Sequence, residues 1–317
     1  MEPAYWQYNA SSVDFITQDG LKAAHLKDGM PFIPKNLQFA NGTIEYDVAL
    51  KLGFPGISFR ISKDGKSADQ FYLRYFGSTS PERRTTIQYA AIVDSMSMWD
   101  MTDEYQGGAK LNIPGWNHVK LVVSGKQLKA YVNNMTRPAL LVPMLEGSEA
   151  KGGLAFSGGD VTITNFIVRP DVTEGLDPAP GYVPPYNDTR YLRNWQVNKP
   201  NAFPFGREVA AFLPGRGMVR APEYPDSTAS WTPVWAGPRG IVNLTRALGA
   251  TPFGQRRLAW IKTTIASATA QEHTLQLGFS DEIWLFVNGD MVLADKNLLT
   301  HQDKSSRKAG VRLRIRV

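Results

Sequence analysis

The sequence predicts an all-β protein: two β-sandwich, jelly-roll domains joined by a Pro-rich linker. Three observations carry this expectation. Trp116–Asn133 reads WNHVKLVVSGKQLKAYVN, with Val119, Leu121 and Val123 alternating before Ser124-Gly125-Lys126 and Leu128, Ala130 and Val132 alternating after it. Period two on both sides of a short Gly-containing break is the pattern of a β-hairpin with one buried face, and a helix would need apolar residues three and four apart. Similar short segments recur along the chain, and 28 Gly and 21 Pro in 317 residues supply the turns between them. Pro170–Asn187 holds five Pro and no apolar period, which blocks strand pairing and stiffens the chain. The expected division is residues 1–170 as the first sandwich, 171–190 as linker and 191–317 as the second sandwich.

In the first half, Val13–Leu37 carries scattered apolar positions between Gly and Pro breaks, enough for one or two short strands. Thr43–Leu50 alternates Ile44, Tyr46 and Val48 against Glu45 and Asp47, a strand with one wet face. Gly56–Ile61 and Gln70–Phe76 follow, each placing an Arg among aromatics, and Ser78–Thr85 is a polar loop. Thr86–Val93 is a further strand. Ser95–Gly108 scatters Met96, Met98, Trp99, Met101 and Tyr105 without a period and reads as a folded loop. Gly152–Gly158 and Val161–Val168 close the domain.

In the second half, Tyr191–Val197 precedes an irregular Pro- and Gly-rich stretch. Trp231–Trp235 and Gly240–Leu244 come next, and Leu258–Ser267, His273–Phe279 and Glu282–Val287 then read as strands joined by short turns. Asn288-Gly289, before Asp290–Leu293, is the strongest short hairpin signal available. The tail through Val317 is basic and alternates Val311, Leu313, Ile315 and Val317, which fits equally an edge strand and a premature end that leaves the second sandwich incomplete at its C-terminus.

Composition excludes some chemistry. With 43% hydrophobic and 20% charged residues the chain can bury a real core. It has no Cys, so disulfides and Cys-ligated zinc are excluded. The net charge of +6 is uneven, with most Arg after residue 190. A nucleic-acid surface would interleave clustered Lys and Arg with aromatics. Only Lys304–Arg316 approaches that, and a solvated terminus is the simpler reading, so no nucleic-acid partner is expected. No run approaches the roughly 18–20 apolar residues of a membrane span. The first residues, MEPAYWQYNASS, have neither a basic nor an apolar signal region, so no signal peptide is expected in this chain and the compartment stays open.

Two resemblances bear on function. Gly56–Arg60, Phe71–Arg74, Gln88-Tyr89, Trp99, the run Trp116–Val132, Pro138-Ala139-Leu140 and Gly152-Gly153 resemble the concanavalin A-like lectin/glucanase superfamily. The likeness is to its bacterial branch with laminin-G-like and keto-disaccharide-hydrolase-like domains, over about residues 10–170. It implies a two-sheet jelly roll that binds carbohydrate or accompanies glycoside hydrolases, exported or periplasmic if a signal has been removed. It also implies that a structural calcium is common, with no other cofactor. Trp231–Trp235, Gly240–Leu244, Trp260–Ile265 and Ser280–Gly289 resemble a galactose-binding-like jelly roll. Such domains carry further strands after the Asn-Gly hairpin, so the second domain departs from the pattern at its C-terminus.

The ligand-binding candidates are Arg60, Tyr72, Arg74, Gln88, Tyr89, Trp99 and Tyr105. Tyr72 and Arg74 are two apart and share a face, and an unpaired buried guanidinium is too costly for that face to be core. A concave polar-aromatic surface follows. Tyr and Trp cover the apolar C–H face of a pyranose while Arg and Gln donate to hydroxyls. The competing reading makes these ordinary core or rim aromatics, with the arginines bonded to backbone or a local carboxylate. Catalytic candidates are Glu45, Asp47 and Asp94. Glucanases of this fold carry an E-x-D-x-x-E strand, and Leu50 stands where its last Glu would be. His118 most simply faces solvent. Metal candidates are Asp64 and Asp69, although ISKDGKSAD lacks the full calcium-loop pattern and reads as an Asp-Gly turn. The expected function is non-catalytic glycan binding to an oligo- or polysaccharide. The alternatives are a glycoside hydrolase with loop-borne carboxylates and a protein-binding adhesion module.

Overall fold

The computed structural model describes residues 1–51, 53–75, 79–182, 188–207, 209, 212–213, 217–218, 224–225, 227–297 and 311–316. They are nearly all β, as expected. No helix among them is long and apolar enough to cross a membrane. The chain divides into two compact units. One is Met1–Asp188 with Asn243–Ala250, and the other is Thr189–Val242 with Thr251–Val317.

The first unit is a two-sheet sandwich. Its strands are β1 (Val13–Gln18), β2 (Leu21–Leu26), β3 (Gly42–Leu50), β4 (Gly56–Ile61), β5 (Ala68–Leu73), β6 (Ile87–Val93), β7 (Gln106–Gly107), β8 (Trp116–Ser124), β9 (Gln127–Val132), β10 (Leu140–Val142), β11 (Gly153–Ser157) and β12 (Val161–Pro170). The larger sheet has the order β10-β9-β8-β3-β12-β2-β1. The smaller has the order β7-β6-β5-β4-β11, with Met96–Ser97 added on β6. All pairings are antiparallel, and the β8–β9 hairpin closes at Ser124↔Gln127.

Period two decides what each sheet buries. Ile44, Tyr46, Val48, Val119, Leu121, Val123, Leu128, Ala130 and Val132 from the larger sheet meet Ile57, Phe59, Phe71, Leu73, Ile87, Tyr89, Leu154 and Phe156 from the smaller in one core. Trp6 stacks on Phe32 at 4.0 Å and 7°, and both join that core.

The stretch expected to be a linker is in part packed. Leu176 is buried with Val122 and Tyr131 on the outer side of the hairpin. Lys126 N donates to Pro178 O, and Gly181 N donates to Pro143 O. A Cβ on Gly125, which has φ +51°, would lie 1.9 Å from Pro178 O, so this turn admits only glycine beneath the segment. The reason is apolar content: Val122 and Tyr131 leave an outward greasy patch that Leu176 covers. Residues 183–187 lie outside the described residues.

A second departure is Asn243–Ala250, expected in the second domain but belonging to the first unit. Its helix α1 (Leu244–Leu248) is capped by the Asn243 side chain, which accepts from Arg246 N. The Asp94 carboxylate accepts from Ala250 N, and Arg246 donates to the Glu146 carbonyl.

The second unit contains a three-stranded sheet of Trp231–Trp235, Asn194–Asn198 and Ile261–Lys262. Asp281–Val287 pairs with Asp290–Asn297 across Asn288-Gly289, both with positive φ as this turn requires. The basic tail contributes a strand, Val311–Arg316, paired with Glu272–Leu277, while 298–310 lie outside the described residues. Phe203 and Val209 are buried, with Leu258, Trp260, Trp284 and Phe286 packed against them.

Candidate functional site

The seven ligand-binding candidates separate onto two faces of the smaller sheet. Tyr72 and Gln88 are register partners on β5 and β6 and face away from the core. Arg74 follows two residues after Tyr72 on the same side. Three of the others turn inward. Tyr89 is register partner of Phe71, fully buried, and lies edge-on to Tyr105 at 5.6 Å. Tyr105 is 2% exposed and belongs to the core.

Arg60 is the third correction. Strict alternation would place it outward beside Ser58. However, β4 bulges where the Gly153↔Ile61 pair gives way to Leu154↔Phe59, so Arg60 is the extra residue. It adopts φ 53° and turns inside, where it is 2% exposed. Its Nε and Nη2 donate to the Ala40 carbonyl at 2.8 and 2.6 Å, and Nη1 lies 3.7 Å from Asp69 Oδ2. Asp69 Oδ1 accepts from Tyr89 Oη at 2.7 Å and from Gly147 N at 3.0 Å. Burial raises the Asp69 carboxyl above its ordinary value, against the pull of Tyr89 and Arg60. This network ties three strands to the 146–147 turn and is internal to the fold.

The outward set is one hydrogen-bonded group. Gln88 Oε1 accepts from Tyr72 Oη at 2.8 Å and from Arg74 Nη1 at 2.8 Å. Gln106 Nε2 approaches the same oxygen at 3.5 Å from β7. Gln88 Nε2 donates to the Trp99 carbonyl at 2.7 Å, which pins the loop carrying Trp99 to the sheet. Trp99 is 37% exposed, and Phe54 stands edge-on to Tyr72 at 6.3 Å and is 51% exposed. Gln88 and Tyr72 thus form the floor, with Arg74, Gln106, Trp99 and Phe54 around it. Gln106 and Phe54 escaped sequence reasoning, since one sits in a stretch without period and the other before a strand.

Burial pushes the Tyr72 phenol up from 10.0 to about 12, against the opposing charge of Arg74 and with that of Asp100. Tyr72 therefore remains a hydrogen-bond donor through the neutral and mildly alkaline range. The native state holds this proton more tightly than the unfolded chain, so the contribution is complete below pH 10 and is lost as pH rises through 12. Tyr72→Phe is expected to lose ~2–3 kcal/mol less than the parent between those limits, measured by urea unfolding at pH 9 to 12. Equal pH slopes would contradict it.

The catalytic candidates do not converge with this group. Glu45 and Asp47 lie on the outer face of the larger sheet, opposite Lys120 and His118 in register. His118 Nδ1 is 2.7 Å from Asp47 Oδ1, and its Nε2 is 3.3 Å from Glu45 Oε2. Asn165 donates to Asp47 at 2.6 Å and Arg169 pairs with Glu45. His118 is thus engaged by two carboxylates rather than simply facing water. Asp94 is occupied by the backbone N–H of Ala250.

The metal candidates also separate. Asp64 Oδ1 accepts from Ser62 Oγ at 2.6 Å and Lys66 N at 3.1 Å in an exposed turn, while Asp69 is in the core. Among the described residues no group of three or more His, Asp or Glu side chains is placed to hold a metal ion.

No family model matches the chain, and no curated protein sequence matches it. Among solved structures, the chain is similar to carbohydrate-binding module CBM66 from Bacillus subtilis, with 14% identity over 52% of this chain and 93% of that one and a TM-score of 0.36. It is similar to a Bacillus subtilis protein of galectin-like fold, with 13% identity over 52% and 89% and a TM-score of 0.37. It is also similar to the galectin LEC-6 of Caenorhabditis elegans, with 12% identity over 51% and 99% and a TM-score of 0.30.

Proposed function

We propose that the first unit binds carbohydrate on the outer face of its smaller sheet, through Arg74, Trp99, Gln106 and Phe54 over a buried floor of Tyr72 and Gln88, which are 8% and 0% exposed. The observation that carries this is the shared Gln88 oxygen, which holds Tyr72 and Arg74 in fixed positions beside exposed aromatic rings. A pyranose offers one apolar C–H face and a rim of hydroxyls. Rings answer the first, and Arg74 and Gln106, which the buried Gln88 oxygen holds, answer the second. Preorganisation matters because each side chain already held in place spares entropy on binding. The carboxylates at Glu45, Asp47 and Asp94 lie apart from this group, so the reading is binding without hydrolysis.

The test is a glycan-array screen of the full chain, with and without EDTA. Trp99→Ala is expected to lower affinity for any hit about tenfold or more while leaving the melting temperature within a few degrees, since the ring is partly solvated. Unchanged affinity in Trp99→Ala and Arg74→Ala would overturn the site. EDTA sensitivity of a hit would reveal a structural calcium, and binding to a protein that free sugars do not displace would favour the adhesion reading.

A further inference from the structure

The three-stranded sheet of the second unit has two unlike faces. Asn194–Asn198 is its central strand, with Trp231–Trp235 on one side and Ile261–Lys262 on the other. Register decides which residues share a face. Asn194 lies opposite Trp235, Gln196 opposite both Pro233 and Lys262, and Asn198 opposite Trp231. The alternate positions, Trp195 with Val234 and Val197 with Thr232, make the inward face, where Val197 is 2% exposed. The outward face of such a sheet is ordinarily polar. Here both ends of its edge strand are Trp. Trp235 is 63% exposed and Trp231 is half-buried. Lys262 Nζ lies 4.0 Å from the Trp231 ring centroid, so these two side chains meet on the same face. Asn194 and Gln196 are exposed, and their side-chain amides make no hydrogen bond among the described residues. Asn198 Oδ1 accepts from Trp260 N, which fixes that end of the amide row. Pro233 has no N–H to offer, and on an edge strand it blunts the addition of a further strand.

We propose that this face is a second glycan-binding surface, and that its ligand is a neutral, linear polysaccharide lying extended along Trp231, Pro233 and Trp235. The proposal stands apart from the site on the first unit. Exposed aromatic surface rimmed by polar groups marks a binding face. The two indoles are four residues apart on one strand, about 13 Å at roughly 3.3 Å per residue, too far for one sugar ring to touch both. A chain of sugars can rest its C–H faces on both rings, while the amides of Asn194 and Gln196 donate to and accept from its hydroxyls. The face carries one cation, Lys262, and no carboxylate. A nucleic-acid strand or other polyanion would need a row of cations beside the rings. The ammonium on Trp231 is exposed, where such a contact is weak, so it yields to the ligand.

The experiment is native affinity electrophoresis of the full chain in gels holding hydroxyethylcellulose, xylan, galactomannan or, as the charged comparison, carboxymethylcellulose. Oligosaccharides of the retarding polymer, from the dimer to the hexamer, are then titrated by calorimetry. The expected result is retardation by at least one neutral polymer and a hexamer bound at least about tenfold more tightly than the dimer. Trp235→Ala should weaken that binding about tenfold or more, with a melting temperature within a few degrees of the parent because the ring is largely solvated. Trp231→Ala should weaken it as well. Added salt should change the affinity little, since the ligand carries no charge. Equal affinity for dimer and hexamer would overturn the extended chain. Stronger retardation by carboxymethylcellulose, or a steep loss with salt, would overturn the neutral class. Binding lost in Trp99→Ala but kept in Trp235→Ala and Trp231→Ala would assign the polymer to the first unit and overturn the second surface. Retardation by none of the polymers would overturn it too, and would leave the site on the first unit to the array.

Discussion

Arg60→Met destabilises the first unit by about 3–5 kcal/mol in urea unfolding at neutral pH. Arg60 and Asp69 are 2% and 1% exposed, so neither charge can fall back on water when its partner is removed. The substitution also frees the Ala40 carbonyl, which receives two N–H groups from the guanidinium. Arg60→Lys should recover little, since an ammonium cannot span Ala40, Asn41 and Asp69 as the fork does. The double change Arg60→Met with Asp69→Leu separates charge from packing. If the cost is the stranded carboxylate, the double variant is more stable than Arg60→Met alone. A single-variant loss below about 1 kcal/mol, the range of exposed ion pairs, would show that the pair is solvated.

Phe156→Ala is the second large effect, also about 3–5 kcal/mol. Phe156 is 1% exposed and lies where both sheets and the N-terminal segment meet. Tyr46 from β3 and Phe166 from β12 stand edge-on at 5.0 and 5.1 Å, and Trp6 lies tilted at 6.2 Å. Its backbone exchanges hydrogen bonds with Phe32 at 3.0 and 2.9 Å, which holds these rings in place and limits collapse into the cavity. The cost should appear as a lower urea midpoint with an unchanged slope. A loss under about 1.5 kcal/mol would mean that the surrounding rings move in to fill the space. Neither substitution touches the Tyr72–Gln88 face, so each variant that remains folded should keep its ligand.

What alternation shows, the sequence showed well. The inward sets of β3, β8 and β9 follow period two residue by residue, and the Asn288-Gly289 hairpin follows from its turn chemistry. Tyr72, Arg74 and Gln88 share a face for the same reason: the first two are two apart, and the third is the register partner of the first. Arg60 was misplaced because a bulge reverses alternation and leaves no mark in composition. Tyr89 and Tyr105 were misplaced because an aromatic suits both core and site, and only the pairing Phe71↔Tyr89 decides between them. The region from Ser95 to Gly108 has no period, so Gln106 could be found only through its bridge to Gln88. Leu176 could have been suspected, since Val122 and Tyr131 interrupt the polar face of the hairpin and require a cover. The docking of Asn243–Ala250 depends on the capacity of Asp94 to accept a distant N–H, which sequence spacing cannot reveal.

The central claim is that the ligand sits on the outer face of the smaller sheet. The most direct measurement is two-dimensional NMR of the labelled full chain, titrated with the strongest glycan from the array. The account predicts that the Trp99 indole and the Gln88 and Gln106 side-chain amides shift in a saturable way, while the Asn165 amide and His118 ring on the opposite sheet stay still. Shifts confined to Asn165 and His118, or to the second unit, would contradict it.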